Sequence, residues 1–168
     1  MGEVVDGYYM SERRGAGICF GIALLALGSG IYCARTGGEF SRGIGWSVLV
    51  MCGLLLAASG TYFVSLGASH AQFAALLRTD LTRFFVDETD HITKAASTLR
   101  IVVLAEIAIA FAGSIVAIAG QTRQSDIVRG AGIGITMIAL LLAFYDLSNR
   151  ERALNYKEKL FNKEMVSR

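Results

Sequence analysis

One acidic residue interrupts a long apolar run in the second half of the chain. Glu106 is the only charged residue between Ile101 and Gly120. An ionisable group at membrane depth is costly to insert, so it must be stabilised by a ligand or by a hydrogen bond. The chemistry that this position favours is binding of a proton or another cation. Two alternatives stay open, namely a protonated glutamate that specifies helix pairing and a side chain that reaches the membrane interface.

The neighbours of Glu106 indicate which way it points. At helical spacing it shares a face with the small residues Ala110, Gly113 and Ala117, and the bulky residues lie opposite. We therefore predict that Glu106 faces other helices and not lipid. Counting from the hairpin loops, three residues of the second apolar run lie at similar depth and complete a predicted intramembrane polar site: Ser59, Thr61 and Tyr62.

Other reactive patterns are weak. No phosphate-binding loop, zinc-protease helix or serine-hydrolase elbow occurs, so the sequence predicts no catalytic residue, no metal, no cofactor and no enzyme. The three cysteines form no C-x-x-C pair. The residues Asp87, Glu88, Asp90 and His91 resemble a cation cluster, but a solvated acidic turn is the favoured interpretation.

The elements that would carry Glu106 are membrane helices. Of the 168 residues, 54% are hydrophobic, and they are concentrated in four runs. A bilayer core requires about 20 apolar residues per helix. We predict a single all-α membrane domain over 1–168, a four-helix bundle with spans at 15–34, 43–67, 99–120 and 128–147.

The distribution of basic residues predicts the orientation. Most of the 16 lysines and arginines lie in the terminal segments and between the second and third spans, and only Arg35, Arg42, Arg123 and Arg129 lie in the hairpin loops. The positive-inside rule therefore places both termini in the cytoplasm, and we predict a bacterial inner (plasma) membrane. Because topology explains the basic residues, the net charge of +2 predicts no nucleic-acid partner.

The two halves of the chain resemble each other. Arg42-Gly43-Ile44-Gly45 opens the second run and Arg129-Gly130-Ala131-Gly132 opens the fourth. Upstream, Gly28-Ser29 aligns with Gly113-Ser114, which pairs Glu106 with Gly21. A tandem repeat of two helical hairpins would explain this match. The alternative is that unrelated apolar helices use the same few residue types.

Small residues predict where the helices pack. Membrane helices approach closely through glycine-containing stripes. We expect helix-packing roles, and some self-association, from a set of seven glycines: Gly17, Gly21, Gly53, Gly60, Gly113, Gly130 and Gly134.

Two cytoplasmic helical segments are predicted, at about 70–97 and 148–168. The apolar pattern from His70 to Val86 extends the second helix, and Asp87–Asp90 is expected to break it, with Thr89 or Asp90 capping the next helix. A narrow stripe that suits helix pairing follows the fourth span: Leu147, Leu154, Phe161 and Met165.

These features favour a self-associating protein of channel or transport type. The alternative is a non-enzymatic membrane protein that binds a partner, such as an accessory subunit or an immunity or exclusion protein. The predicted partners are the lipid bilayer and either a second copy of the chain or another membrane protein.

Overall fold

The chain folds into four long helices. The computed structural model describes residues 2–167, with side chains for all of these except 2–3, 58–59, 61–66 and 163–167. The helices are α1 (Gly2–Thr36), α2 (Glu39–Thr79), α3 (Leu81–Thr122) and α4 (Asp126–Ser167). In the described part of the chain, no strand accompanies them.

All four helices are long and apolar enough to cross a membrane. α2, α3 and α4 have 41, 42 and 42 residues. At about 1.5 Å per residue each is roughly 60 Å long, about twice the thickness of a bilayer core. A membrane can therefore cover one half of each helix, and the other half must form its own core.

The helices are arranged as two hairpins. Gly37 and Gly38 connect α1 to α2, and a Cβ atom at Gly37 would overlap the side chain of Ser41, so the tight turn requires glycine there. Arg123, Gln124 and Ser125 connect α3 to α4. We call the end with these turns the hairpin end, and the end with both chain termini the terminal end.

The break between α2 and α3 differs from the predicted one. It lies at Asp80, which has φ −149° and whose Oδ1 accepts a hydrogen bond from the backbone N–H of Arg83 at 3.0 Å. Helix α3 then runs unbroken through Asp87–Asp90. The predicted break was wrong because Asp80 itself caps the new helix. This capping role also explains why Asp80 occurs within the apolar pattern from His70 to Val86.

The two hairpins meet at α2 and α4 in a symmetric contact. A Cβ atom at Gly43 would overlap the carbonyl oxygen of Ile127, and one at Gly130 would overlap the carbonyl oxygen of Phe40. The same Gly43 Cβ atom would lie 2.8 Å from the backbone nitrogen of Ala131. Corresponding residues of the two halves therefore exchange equivalent contacts, as two-fold-related elements do.

Each hairpin also contains the same internal contact. A Cβ atom at Gly45 would lie 2.7 Å from the carbonyl oxygen of Gly30, and one at Gly132 would lie 2.6 Å from that of Gly113. The structure thus matches Gly113 with Gly30, whereas the sequence alignment matched it with Gly28. The duplication itself stays a prediction.

The seven predicted packing glycines fall into two groups. Gly113, Gly130 and Gly134 lie at close contacts, and a Cβ atom at Gly134 would overlap the Ser47 hydroxyl. No described atom of another helix comes within 4 Å of a Cβ atom built at any of the other four: Gly17, Gly21, Gly53 and Gly60. Gly17 and Gly53 are exposed, so the expected packing role within the bundle does not hold for them.

The terminal end has its own core, which we call the terminal core. It contains buried residues of all four helices: Val5, Tyr9, Phe73, Phe84, Phe85, Ile92, Ala96, Ala153, Tyr156 and Leu160. Helix α1 reaches it because it begins at Gly2, well before the predicted span at 15–34. This half of the molecule can therefore hold together without lipid around it.

Candidate functional site

Glu106 lies on the side of α3 that packs against α4. Ala110 and Gly113 on the same face are buried. The bulky residues of the opposite face are exposed: Leu104, Phe111, Ile115 and Ile118. The glutamate itself is half-buried, and its Oε2 atom is buried without a hydrogen-bond partner among the described residues.

A second carboxyl group meets Glu106. Asp146 on α4 lines the same cavity, close enough for the two carboxyl groups to interact electrostatically. The side-chain amide of Asn149 donates a hydrogen bond of 3.3 Å to Asp146 Oδ1. We call Glu106 and Asp146 the carboxyl pair.

The carboxyl pair lines a cavity of about 410 Å³ between the four helices. Its walls include Cys19 of α1, Leu55 of α2 and Val102 of α3. Among the described lining residues the only ionisable groups besides the carboxyl pair are Cys19 and Tyr145, and no lysine, arginine or histidine is present. The cavity is therefore mostly apolar, and its acidic groups are confined to the carboxyl pair.

A chain of polar side chains leads from the carboxyl pair towards the terminal end. Arg152 donates a hydrogen bond to Asn149 Oδ1, and its Nε atom lies 3.7 Å from Oε1 of Glu12. Glu12 is 5% exposed. The carboxyl pair is thus connected through α4 to an ion pair between the half-buried Arg152 and the buried Glu12 of α1.

Of the predicted polar site, only Glu106 has a described side chain. The side chains of Ser59, Thr61 and Tyr62 lie outside the described residues. Asp146 was not among the predicted site residues, because it directly follows the fourth apolar run and resembles the end of a span. A signal was present, since counting equal distances from the turn at 123–125 brings Asp146 within about one helical turn of the position opposite Glu106.

A second buried carboxyl group lies in the terminal core. Glu88 of α3 is 0% exposed. It accepts hydrogen bonds from the hydroxyl of Tyr156 at 2.9 Å and from that of Tyr9 at 3.3 Å. Burial raises the pKa of Glu88 to about 7, although both tyrosine hydrogen bonds oppose this shift.

The interpretation of Asp87–His91 as a solvated turn is therefore wrong for Glu88. Asp87 and Asp90 do form exposed i,i+4 ion pairs, with Arg83 at 3.4 Å and Lys94 at 2.7 Å. Because α3 continues through this segment, Glu88 points to the opposite side of the helix from Asp90. Within the described part of the chain, no group of three or more metal-binding side chains is present.

The fold and the site together define an all-α protein with four candidate membrane spans and a carboxyl pair in a cavity between them. Comparison with known protein families, curated proteins and solved structures finds no match. The geometry of this chain is therefore the only basis for inferring its function.

Proposed function

We propose that the chain is an integral membrane protein of transport type, in which the carboxyl pair binds and releases a proton or another small cation. The observation that carries this proposal is that Glu106 and Asp146 line one cavity, to which all four helices contribute. A glutamate with only a structural role would need one hydrogen-bond partner, and it would not need to line a cavity.

The chemistry follows from placing two carboxyl groups together in an apolar environment. Two adjacent carboxylates repel each other strongly where water is scarce, so the pair is expected to retain one proton. Loss of that proton leaves an uncompensated charge in the cavity, which a cation can neutralise. Proton and cation would then compete for one site, and this competition is a basis for coupled transport.

The orientation is part of the proposal. The positive-inside rule assigns the terminal end to the cytoplasm of a bacterial inner membrane. The polar chain through Asn149, Arg152 and Glu12 would then lie on the cytoplasmic side of the carboxyl pair. It offers a polar route from the carboxyl pair towards that side.

The runner-up is a protein that binds a partner at the terminal end. Leu147, Leu154 and Phe161, spaced by seven residues on α4, are 42%, 40% and 61% exposed. Such a stripe fits a second helix, either from another copy of the chain or from a different membrane protein. Self-association likewise stays a prediction, and it would use this stripe or the exposed glycines of α1 and α2.

Substitution of the carboxyl pair tests the transport function. We expect Glu106→Gln and Asp146→Asn each to lower pH-driven cation or proton flux in proteoliposomes at least tenfold, because each variant removes one titrating member of the pair. The double variant should lose little more, since the two groups act as one unit. Asp90→Asn, which changes an exposed carboxylate outside the cavity, is the matched control.

Melting in detergent must show that the variants are folded. Wild-type flux in both single variants would refute the proton or cation site. The pair would then have a structural role, and the partner-binding function would be favoured.

Reporter fusions test the orientation. Fusions after Asp90 and at the C-terminus should give cytoplasmic signals, and fusions at Gly38 and Gln124 should give external signals. The reason is that the basic residues favour a cytoplasmic location for the terminal end. An external signal at the C-terminus would require an odd number of spans and contradict the four-span topology.

A further inference from the structure

A second cavity lies on the flank of α1, away from the carboxyl pair. It is a groove of about 350 Å³ whose floor consists of Gly7, Ser11 and Gly15, spaced by four residues along one side of the helix. The small side chains leave room there, and no described atom lies within 4 Å of a Cβ atom built at Gly7. The groove is thus open along the surface of α1.

Two arginines give the groove its charge. Arg14 lines it from α1 and Arg152 from α4. Within the described part of the chain, the hydrogen-bond partner of the Arg14 guanidinium is the sulfur of Met10 at 3.7 Å, a weak acceptor. Glu12 pairs with Arg152 but does not line the groove, and no acidic residue is among its described lining. The groove therefore favours an anion.

The walls of the groove are apolar on either side of Arg14. Met10 is 55% exposed and Ile18 is 65% exposed. Arg14 directly precedes the predicted span at 15–34, and Ile18 lies about 6 Å deeper along α1. In a bilayer this places the guanidinium at the level of the lipid headgroups and Ile18 at the start of the acyl chains.

From this arrangement we infer that the groove binds an anionic phospholipid, with Arg14 and Arg152 on its phosphate and Ile18 against an acyl chain. Guanidinium groups form strong charge-assisted hydrogen bonds to phosphate oxygens. Basic pockets between membrane helices bind anionic headgroups by the same chemistry. The inference requires α1 to be inserted in a membrane, and it does not depend on proton or cation binding by the carboxyl pair.

Native mass spectrometry of the purified full-length protein in detergent tests this inference. Titration with phosphatidylglycerol should show a bound lipid, whereas phosphatidylcholine should bind much more weakly. Arg14→Gln should weaken phosphatidylglycerol binding about tenfold, because one set of charge-assisted hydrogen bonds is lost. Gly7→Leu should weaken it as well, because the side chain fills the groove without meeting another part of the protein.

The matched control is Arg13→Gln, which removes the same charge one residue away, outside the groove lining. Equal losses in Arg13→Gln and Arg14→Gln would reduce the effect to general electrostatic attraction and overturn the site. So would wild-type binding in Gly7→Leu. Displacement of the lipid by inorganic phosphate at similar concentration would show a free-phosphate site instead and overturn the lipid assignment. Flux is not measured, so the result is independent of the carboxyl pair.

Discussion

Alanine at Gly43 or Gly130 should destabilise the protein by about 2–3 kcal/mol, in the range observed for overpacked cores. The added methyl group would overlap the carbonyl oxygen of Ile127 in the first variant and that of Phe40 in the second. Backbone atoms cannot rotate away as a side chain can, so α2 and α4 would have to separate. Unfolding of the purified protein in detergent, monitored by circular dichroism, measures the loss.

Gly17→Ala and Gly53→Ala are the matched controls. No described atom lies within 4 Å of a Cβ atom at either position, and alanine is favoured over glycine in a helix by about 1 kcal/mol. These variants should be as stable as the wild type or slightly more stable. Wild-type stability in both Gly43→Ala and Gly130→Ala would mean that α2 and α4 do not form this contact.

The contrast between these glycines marks one limit of sequence analysis. Small residues at helical spacing were a sound criterion for Gly113, Gly130 and Gly134, but the same criterion selected Gly17 and Gly53. A glycine stripe shows only that another backbone can approach. Which stripe is used depends on the rotation of each helix and on which helices become neighbours, and neither is encoded in hydropathy.

The long apolar runs, in contrast, were sufficient to predict four helices. A run of that length can satisfy its backbone hydrogen bonds in an apolar medium only as a helix, so little depends on tertiary contacts. The repeat was harder to align. The contact glycines of the second hairpin, Gly113 and Gly132, are four residues further apart in sequence than Gly30 and Gly45 of the first hairpin. The sequence alignment allowed only two extra residues, so it matched Gly113 with Gly28 instead of Gly30.

The functional groups illustrate a second limit. Glu106 was recognisable because it stands alone in an apolar run. Its partner Asp146 lies at the border of a run, and Glu88 lies in a charged segment that resembles a helix break. Their significance comes from burial and from neighbours distant in sequence, such as Tyr9, which hydropathy and motif searches do not reveal.

The terminal core should become less stable as the pH rises, and Glu88 should be the cause. Burial raises the pKa of Glu88 from 4.5 to about 7. The folded state therefore binds the proton more tightly than the unfolded state does. This contribution is fully present below pH 4.5 and is lost as the pH rises to about 7. The difference amounts to about 3 kcal/mol.

Glu88→Gln isolates this effect. Glutamine keeps the size of the side chain and can accept the hydrogen bonds of Tyr9 and Tyr156, but it does not ionise. The variant should match the wild type near pH 4 and exceed it in stability above pH 7. Tyr156 does not titrate in this range, because burial and the nearby Glu88 carboxylate raise its pKa further.

Amide hydrogen exchange of the α3 segment around Glu88 measures the local stability at each pH. Comparison of the two proteins at the same pH cancels the intrinsic pH dependence of exchange and the titration of other groups, including His91. Asp87→Asn, next to Glu88 in sequence but in an ion pair with Arg83 at the surface, should leave the pH profile unchanged. A stability difference between Glu88→Gln and the wild type that stays constant from pH 5 to pH 8 would show that Glu88 does not change its charge in this range, and that its role is confined to packing and to hydrogen bonding with the two tyrosines.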